Sequence, residues 1–140
     1  VGVQKDTFNL TDNVYVNGSG YAPSTTYNIY LVSDVAMWSD GMVIPSRVTG
    51  TVTTITSNNA GRILPATVWN SPLTLGKYDI IVDVNGNGKY DAGIDALDNN
   101  DVQVTAGFVV IPEYTIGTIL ALAGYVVALS VFQRARRQTR

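Results

Sequence analysis

The eighteen residues Thr115–Phe132 contain no charged side chain, and this stretch constrains the chain more than any other feature. As an α-helix it would rise roughly 27 Å, which is about the thickness of the hydrocarbon layer of a bilayer. Four arginines come after it, and basic clusters of this kind stay on the cytoplasmic side of a membrane. The sequence therefore predicts a transmembrane helix over 115–132, a basic cytoplasmic tail over 133–140, and an ectodomain outside the cell.

Residue usage excludes several kinds of chemistry. The chain has no cysteine and no histidine, so it lacks a thiolate nucleophile, the usual general base and the usual transition-metal ligand. Residues 1–132 hold five of the nine basic side chains and all eleven acidic ones, a net charge of −6. Such a surface repels the phosphates of nucleic acid, so we expect no nucleic-acid partner. We expect no enzymatic activity, and the oxygen donors favour a hard ion such as calcium.

Residues 1–110 have the pattern of an all-β domain. Val, Ile, Tyr and Thr are concentrated in short runs, and turns rich in Gly, Pro and Asn separate these runs. Strands at this spacing are typical of a two-sheet sandwich of immunoglobulin-like type. The segment Val35–Pro45 breaks the alternation and is predicted to be a longer loop. The predicted strands are Asn13–Asn17, Thr26–Val32, Arg47–Thr56, Lys77–Val84 and Asp101–Val110, with weaker ones at Thr7–Leu10 and Ile63–Val68.

The run Asp-Val-Asn-Gly-Asn-Gly-Lys-Tyr-Asp at 83–91 matches the first part of a calcium-binding loop. Side-chain oxygens fall at positions 1, 3, 5 and 9, a glycine at position 6, and position 7 offers a main-chain carbonyl. Ile94 stands where an acid is expected, and Asp95 comes one residue later. Since a strand rather than a helix precedes the run, we predict a structural calcium site grafted on a β scaffold. Its predicted ligands are Asp83, Asn85, Asn87, Lys89, Asp91 and Asp95.

A hairpin turn with solvated acids is the alternative interpretation of this run. Five acidic residues lie between Asp83 and Asp101, and Lys89 is the one basic residue among them. Without a cation, these like charges would destabilise the loop by mutual repulsion. The charge pattern therefore favours calcium.

Two sequons of the form Asn-x-Ser/Thr begin at Asn9 and Asn17, each near a predicted turn. They predict N-glycosylation at the surface of an exported domain. Chance is the alternative explanation, because the chain is rich in Asn, Ser and Thr.

Small residues recur along one face of the predicted transmembrane helix. Such residues let two helix backbones approach closely in lipid. They predict self-association or packing against other membrane subunits, whereas small residues that merely face lipid are the alternative. The residues concerned are Gly117, Ala121, Gly124 and Ala128.

A short motif, an uncharged stretch and a basic end succeed one another at the C-terminus. The motif Ile111-Pro112-Glu113-Tyr114, together with the uncharged stretch and the arginines after it, resembles the PEF-CTERM sorting signal of archaeal surface proteins, with Tyr114 in place of phenylalanine. The resemblance implies that Pro112, Glu113 and Tyr114 contact an archaeosortase, which cuts near the motif and moves the protein to another anchor. The stretch Ser71–Asp83 also resembles β-sandwich modules of large archaeal surface proteins, which implies a fold and no activity.

These features together predict a non-enzymatic structural or adhesive protein of the cell surface, held in membrane lipid. Residues 1–110 are the ectodomain, and 111–114 are the sorting motif and linker. An accessory single-pass subunit of a membrane complex is the second hypothesis. A binding module for carbohydrate or protein that uses Met37, Trp38 and Trp69 is the third.

Overall fold

The computed structural model describes residues 4–99 and 103–113, and within these ranges the chain forms β-strands and no helix. No helix in this part of the chain is long and apolar enough to cross a membrane. The predicted helix over 115–132 and the tail over 133–140 lie outside the described residues. The strands are β1 (Thr7–Asn9), β2 (Val14–Ser19), β3 (Thr26–Ser33), β4 (Met42–Val43), β5 (Thr54–Thr56), β6 (Arg62–Trp69), β7 (Gly76–Asp83), β8 (Lys89–Tyr90), β9 (Ala96–Asp98) and β10 (Phe108–Ile111).

The larger sheet has the strand order β1-β10-β7-β3-β5. Strands β3 and β7 form its centre and pair antiparallel from Asn28↔Asp83 to Ser33↔Tyr78. On the other side of β7, its first residues pair with β10 and its later residues pair with β9. Strand β1 closes the edge in parallel with β10. The β7 strand is therefore held from both sides along most of its length.

The second sheet, β2 with β6, supplies the opposite wall of the main core. Alternate residues of the strands point inward, as the period of two in a strand requires. The Trp69 ring meets the Tyr78 ring edge-on at 5.1 Å between centroids. Burying a side chain of Ile or Leu size contributes roughly 1.5–3 kcal/mol, so this core is the main source of stability. The all-β prediction is confirmed, with the two sheets in a sandwich-like arrangement.

The outer face of the larger sheet is covered as well. Val32 and Ile81 point to that face and pack with Ile44, and Trp38 and Tyr90 lie against this cluster. The covering layer consists of residues 35–45, which we call the strap, together with β8. Strands β4 and β8 pair within it, so Val35–Pro45 holds a short strand where a loop was predicted. With both faces covered, every residue from 78 to 83 in β7 is buried.

Two predicted strands are shorter than expected, and turns explain both. Arg47–Thr56 was predicted as one strand, but Gly50 has a φ of 85° and Thr51 bridges to Trp69 of β6. Only β5, at the end of that run, joins the larger sheet. In the predicted strand Asp101–Val110, β10 begins at Phe108, because 103–105 form a turn with Thr105 at a φ of 53°.

Candidate metal centre

The predicted calcium ligands lie in the connection from β7 to β9, which we call the acidic loop (residues 83–95). Asp83 is the last residue of β7, and Asp95 comes directly before β9. Because β9 runs antiparallel beside β7 with Val82 opposite Ala96, the register places Asp83 and Asp95 side by side at the end of the sheet. The topology thus brings together the two ends of the predicted site.

Asp83 organises the first turn of the acidic loop. Its side chain is only 1% exposed. Oδ1 accepts hydrogen bonds from the main-chain nitrogens of Gly86 (2.7 Å) and Asn87 (3.2 Å), and Oδ2 accepts one from Gly88 (3.0 Å). Both glycines have a φ of 73°, in the left-handed region that glycine adopts at little cost. The turn therefore wraps around a buried carboxylate.

Asp91 gathers the two asparagines. The Nδ2 atoms of Asn85 and Asn87 each donate to Asp91 Oδ2 at 2.6 Å. These hydrogen bonds lower the pKa of Asp91 from its ordinary value. The oxygen of each amide is engaged too: Asn85 Oδ1 accepts from the nitrogen of Asn87 (3.2 Å), and Asn87 Oδ1 accepts from the nitrogen of Lys89 (2.7 Å). The amide groups are held at both ends.

Asp95 closes the acidic loop. Its Oδ1 accepts a hydrogen bond from the nitrogen of Val84, and its Oδ2 accepts one from the nitrogen of Asp91, both at 2.8 Å. Five of the predicted ligands therefore belong to one hydrogen-bonded loop, in which side chains bind the main chain of the loop itself: Asp83, Asn85, Asn87, Asp91 and Asp95. The Lys89 side chain is exposed, which leaves its main chain as the part that faces this network.

The oxygen donors of this loop are those that calcium prefers, but the carboxylates of the loop alone do not form a coordination sphere. In residues 4–99 and 103–113, no group of three or more Asp, Glu, His or Cys side chains is placed to hold a metal ion. A cation here would need the amide oxygens of Asn85 and Asn87 and a main-chain carbonyl in addition to carboxylates.

The acidic loop is bound to the strap through its main chain. The nitrogen of Gly41 donates to the carbonyl of Tyr90 at 2.8 Å, and the nitrogen of Ile44 donates to the carbonyl of Gly88 at 3.0 Å. The Trp38 ring packs edge-on against the Tyr90 ring at 5.5 Å. Two main-chain hydrogen bonds and one aromatic contact thus join the loop to the strap.

Asp79, which sequence reasoning missed, anchors the start of the strap. It is fully buried, and its Oδ2 accepts hydrogen bonds from the nitrogen of Val35 and from Nε1 of Trp38, both at 2.9 Å. Its Oδ1 accepts a longer one from the nitrogen of Gly107 at 3.3 Å. Burial raises the pKa of Asp79, and the three N–H donors oppose that rise only in part. The signal for it was an acid inside an apolar strand.

Of the predicted glycosylation and sorting residues, the structure describes Asn9, Asn17, Pro112 and Glu113. Asn9 ends β1 and is half-buried, whereas Asn17 is exposed in β2. Pro112 and Glu113 are exposed, and Glu113 accepts a hydrogen bond from the hydroxyl of Thr11. The remaining predicted residues lie outside the described ranges: Tyr114, Gly117, Ala121, Gly124 and Ala128.

The side chains of the three residues of the predicted binding module differ widely in their exposed fraction. Met37 is 81% exposed, whereas Trp69 is 4% exposed and belongs to the main core. Trp38 is half-buried and is tied to Asp79 and Tyr90. Trp69 is therefore a core residue and not part of an aromatic binding surface.

Comparison with protein-family models, with characterised proteins and with solved structures finds no match.

Proposed function

We propose that this chain is a non-enzymatic structural or adhesive protein of the cell surface, anchored by its C-terminal segment in membrane lipid. The observation that carries the proposal is the position of the domain's last strand. Strand β10 ends at Ile111, and the uncharged stretch begins four residues later at Thr115. A connection this short spans about 13 Å even when fully extended, so the β-domain would stand directly on the bilayer.

A contact of Glu113 supports a fixed orientation of the β-domain relative to the bilayer. Glu113 is hydrogen-bonded to Thr11 in the turn between β1 and β2, so the described end of the chain lies against the body of the domain. Under this proposal the C-terminus is cytoplasmic and the β-domain faces outward. Pro112 and Glu113 are exposed, which fits recognition by an archaeosortase.

The finer fold assignment is an immunoglobulin-like sandwich. In such folds strands C, F and G lie in one sheet, and strands B and E lie in the other. Here β7 lies between β3 and β10 in the larger sheet, and β2 pairs with β6 in the second sheet. The strand order therefore supports this assignment.

Calcium is proposed as a structural ion of the acidic loop. In the bound form the side chains of Asn85 and Asn87 would turn their oxygens, in place of their nitrogens, toward the ion beside Asp91. The ion would neutralise the three carboxylates of the loop and hold the strap, which is hydrogen-bonded to the same loop. Its role would be to stiffen this end of the domain, because no reacting group is assigned there.

An accessory subunit of a membrane complex is the second candidate, favoured by the small residues Gly117, Ala121, Gly124 and Ala128 of the predicted helix. Mild detergent extraction and then native sizing separate the two. A surface protein is expected to migrate alone or as a homopolymer. Stoichiometric co-purification with other membrane proteins would instead establish the subunit.

A further inference from the structure

The acidic loop contains two Asn-Gly pairs, and a third lies in β2, at Asn17-Gly18. In such a pair the glycine nitrogen attacks Cγ of the asparagine, the Cγ–Nδ2 bond breaks, and ammonia leaves with the proton of the attacking nitrogen. Water then opens the cyclic imide at either of its two C–N bonds and gives aspartate or isoaspartate. Asn-Gly pairs are the most prone to this reaction, since glycine has no side chain to hinder the attack.

We propose that the acidic loop protects its two Asn-Gly pairs from deamidation, and that Asn17 is the position at which the folded domain deamidates.

The attacking nitrogens of the loop are both held by Asp83. Gly86 donates to Asp83 Oδ1 at 2.7 Å, and Gly88 donates to Asp83 Oδ2 at 3.0 Å. The attack requires loss of the proton from this nitrogen. The carboxylate already accepts a hydrogen bond from this N–H group. Its negative charge disfavours the nitrogen anion that would form beside it. The nucleophile of each pair is thus suppressed by one buried side chain.

The leaving groups of the loop are held by Asp91. Both amide nitrogens, Nδ2 of Asn85 and Nδ2 of Asn87, donate to its Oδ2 at 2.6 Å. The amide oxygens accept main-chain hydrogen bonds two residues further on, at Asn87 and Lys89. Rotation of either amide toward the next main-chain nitrogen would break contacts at both of its ends. Geometry and electrostatics therefore act in the same direction.

At Asn17-Gly18 the restraint on the amide is missing, whereas the main chain of Gly18 is paired with Ile63 of β6. The register of β2 against β6 shifts between Val16 and Gly18, so Asn17 itself has no cross-strand partner. Its side chain is exposed, and within the described residues no hydrogen bond engages it. Conversion of Asn17 would also destroy the sequon Asn17-Gly18-Ser19, so deamidation and N-glycosylation would compete for one amide.

The test is peptide mapping of the unglycosylated full-length chain after incubation in detergent and chelator at mildly alkaline pH. Chelator keeps the outcome independent of calcium binding. We expect Asn17 to convert first. Asn85 and Asn87 are expected to convert at least about tenfold more slowly than in the same chain in denaturant, because both the attacking nitrogen and the leaving amide must first break hydrogen bonds. Equal rates in folded and denatured chain would overturn the proposal, as would an Asn17 slower than the loop pairs.

A matched pair of variants assigns the protection. Asp91→Ala removes the acceptor of both amide nitrogens and is expected to accelerate conversion of Asn85 and Asn87 while leaving Asn17 unchanged. Asp40→Ala removes an exposed acid of the strap, which accepts a hydrogen bond from the main-chain nitrogen of Ala92 in the acidic loop, and it is expected to change neither rate. Unchanged rates in folded Asp91→Ala would overturn the role of Asp91.

Discussion

Saturating calcium is expected to raise the melting temperature of the β-domain by roughly 10–20 °C over that in chelator. At a concentration of about one hundred times Kd, a ligand of the folded state adds about 2.7 kcal/mol, and a domain of this size gains about 4–8 °C per kcal/mol. The physical source is the acidic loop, where Asp83, Asp91 and Asp95 lie within one hydrogen-bonded turn. Differential scanning calorimetry of the full-length chain in detergent measures the shift.

Charge-neutralising variants show whether this shift belongs to the loop. Asp91→Asn keeps the size of a half-buried side chain but removes the negative charge of a predicted calcium ligand, and it is expected to abolish most of the shift. The matched control, Asp40→Asn, changes an exposed acid of the strap and is expected to keep the shift. Magnesium should have a smaller effect, because it demands a compact octahedral set of ligands. A melting temperature that is the same with calcium and with chelator would contradict a calcium site in the acidic loop.

Asp79→Ala is expected to destabilise the domain by about 3 kcal/mol, the second large effect. The truncation leaves the nitrogens of Val35 and Gly107 and Nε1 of Trp38 without their acceptor, and an unsatisfied buried donor costs about 1–3 kcal/mol. We expect part of this cost to be recovered by water. The free energy of unfolding from urea titration measures the change.

Two further variants make the Asp79 result specific. Burial raises the pKa of Asp79, and Asp79→Asn avoids the burial of a charge while it retains one acceptor. It is expected to cost distinctly less than Asp79→Ala. Asp34→Ala, at a half-buried acid just before the strap, is expected to cost less than about 1 kcal/mol. Equal losses in Asp79→Asn and Asp79→Ala would show that the three N–H contacts contribute little.

The strands with strong alternation were predictable, and those whose course depends on turns were not. Thr26–Val32 and Lys77–Val84 coincide with β3 and β7 to within a residue at each end, because β-branched and aromatic residues fill both. The predicted strand Arg47–Thr56 was wrong over most of its length. Its Val and Thr residues satisfy β propensity, but the chain turns at Gly50, Thr51 then bridges to Trp69 of β6, and only Thr54–Thr56 pair with the larger sheet. Such a division depends on partners that are distant in sequence.

The acidic loop was predictable as a unit, since its residue types and spacing are local. The strap was not, because its pairing with β8 joins segments that are more than forty residues apart. Asp79 was missed for a related reason. An acid in a strand is ordinarily placed on a solvated face, and here that face is covered by the strap. Only the three-dimensional arrangement shows that Asp79 accepts hydrogen bonds from the strap.

Labelling of single-cysteine variants in intact cells tests the proposed membrane topology most directly, because the natural chain has no cysteine. Ser39→Cys places a thiol at an exposed position of the strap, and Thr139→Cys places one in the basic tail. With the chain produced behind an export signal, a membrane-impermeant maleimide is expected to label Ser39→Cys in intact cells and Thr139→Cys only after lysis. Labelling of Thr139→Cys in intact cells, or recovery of the chain in the soluble fraction, would contradict the account.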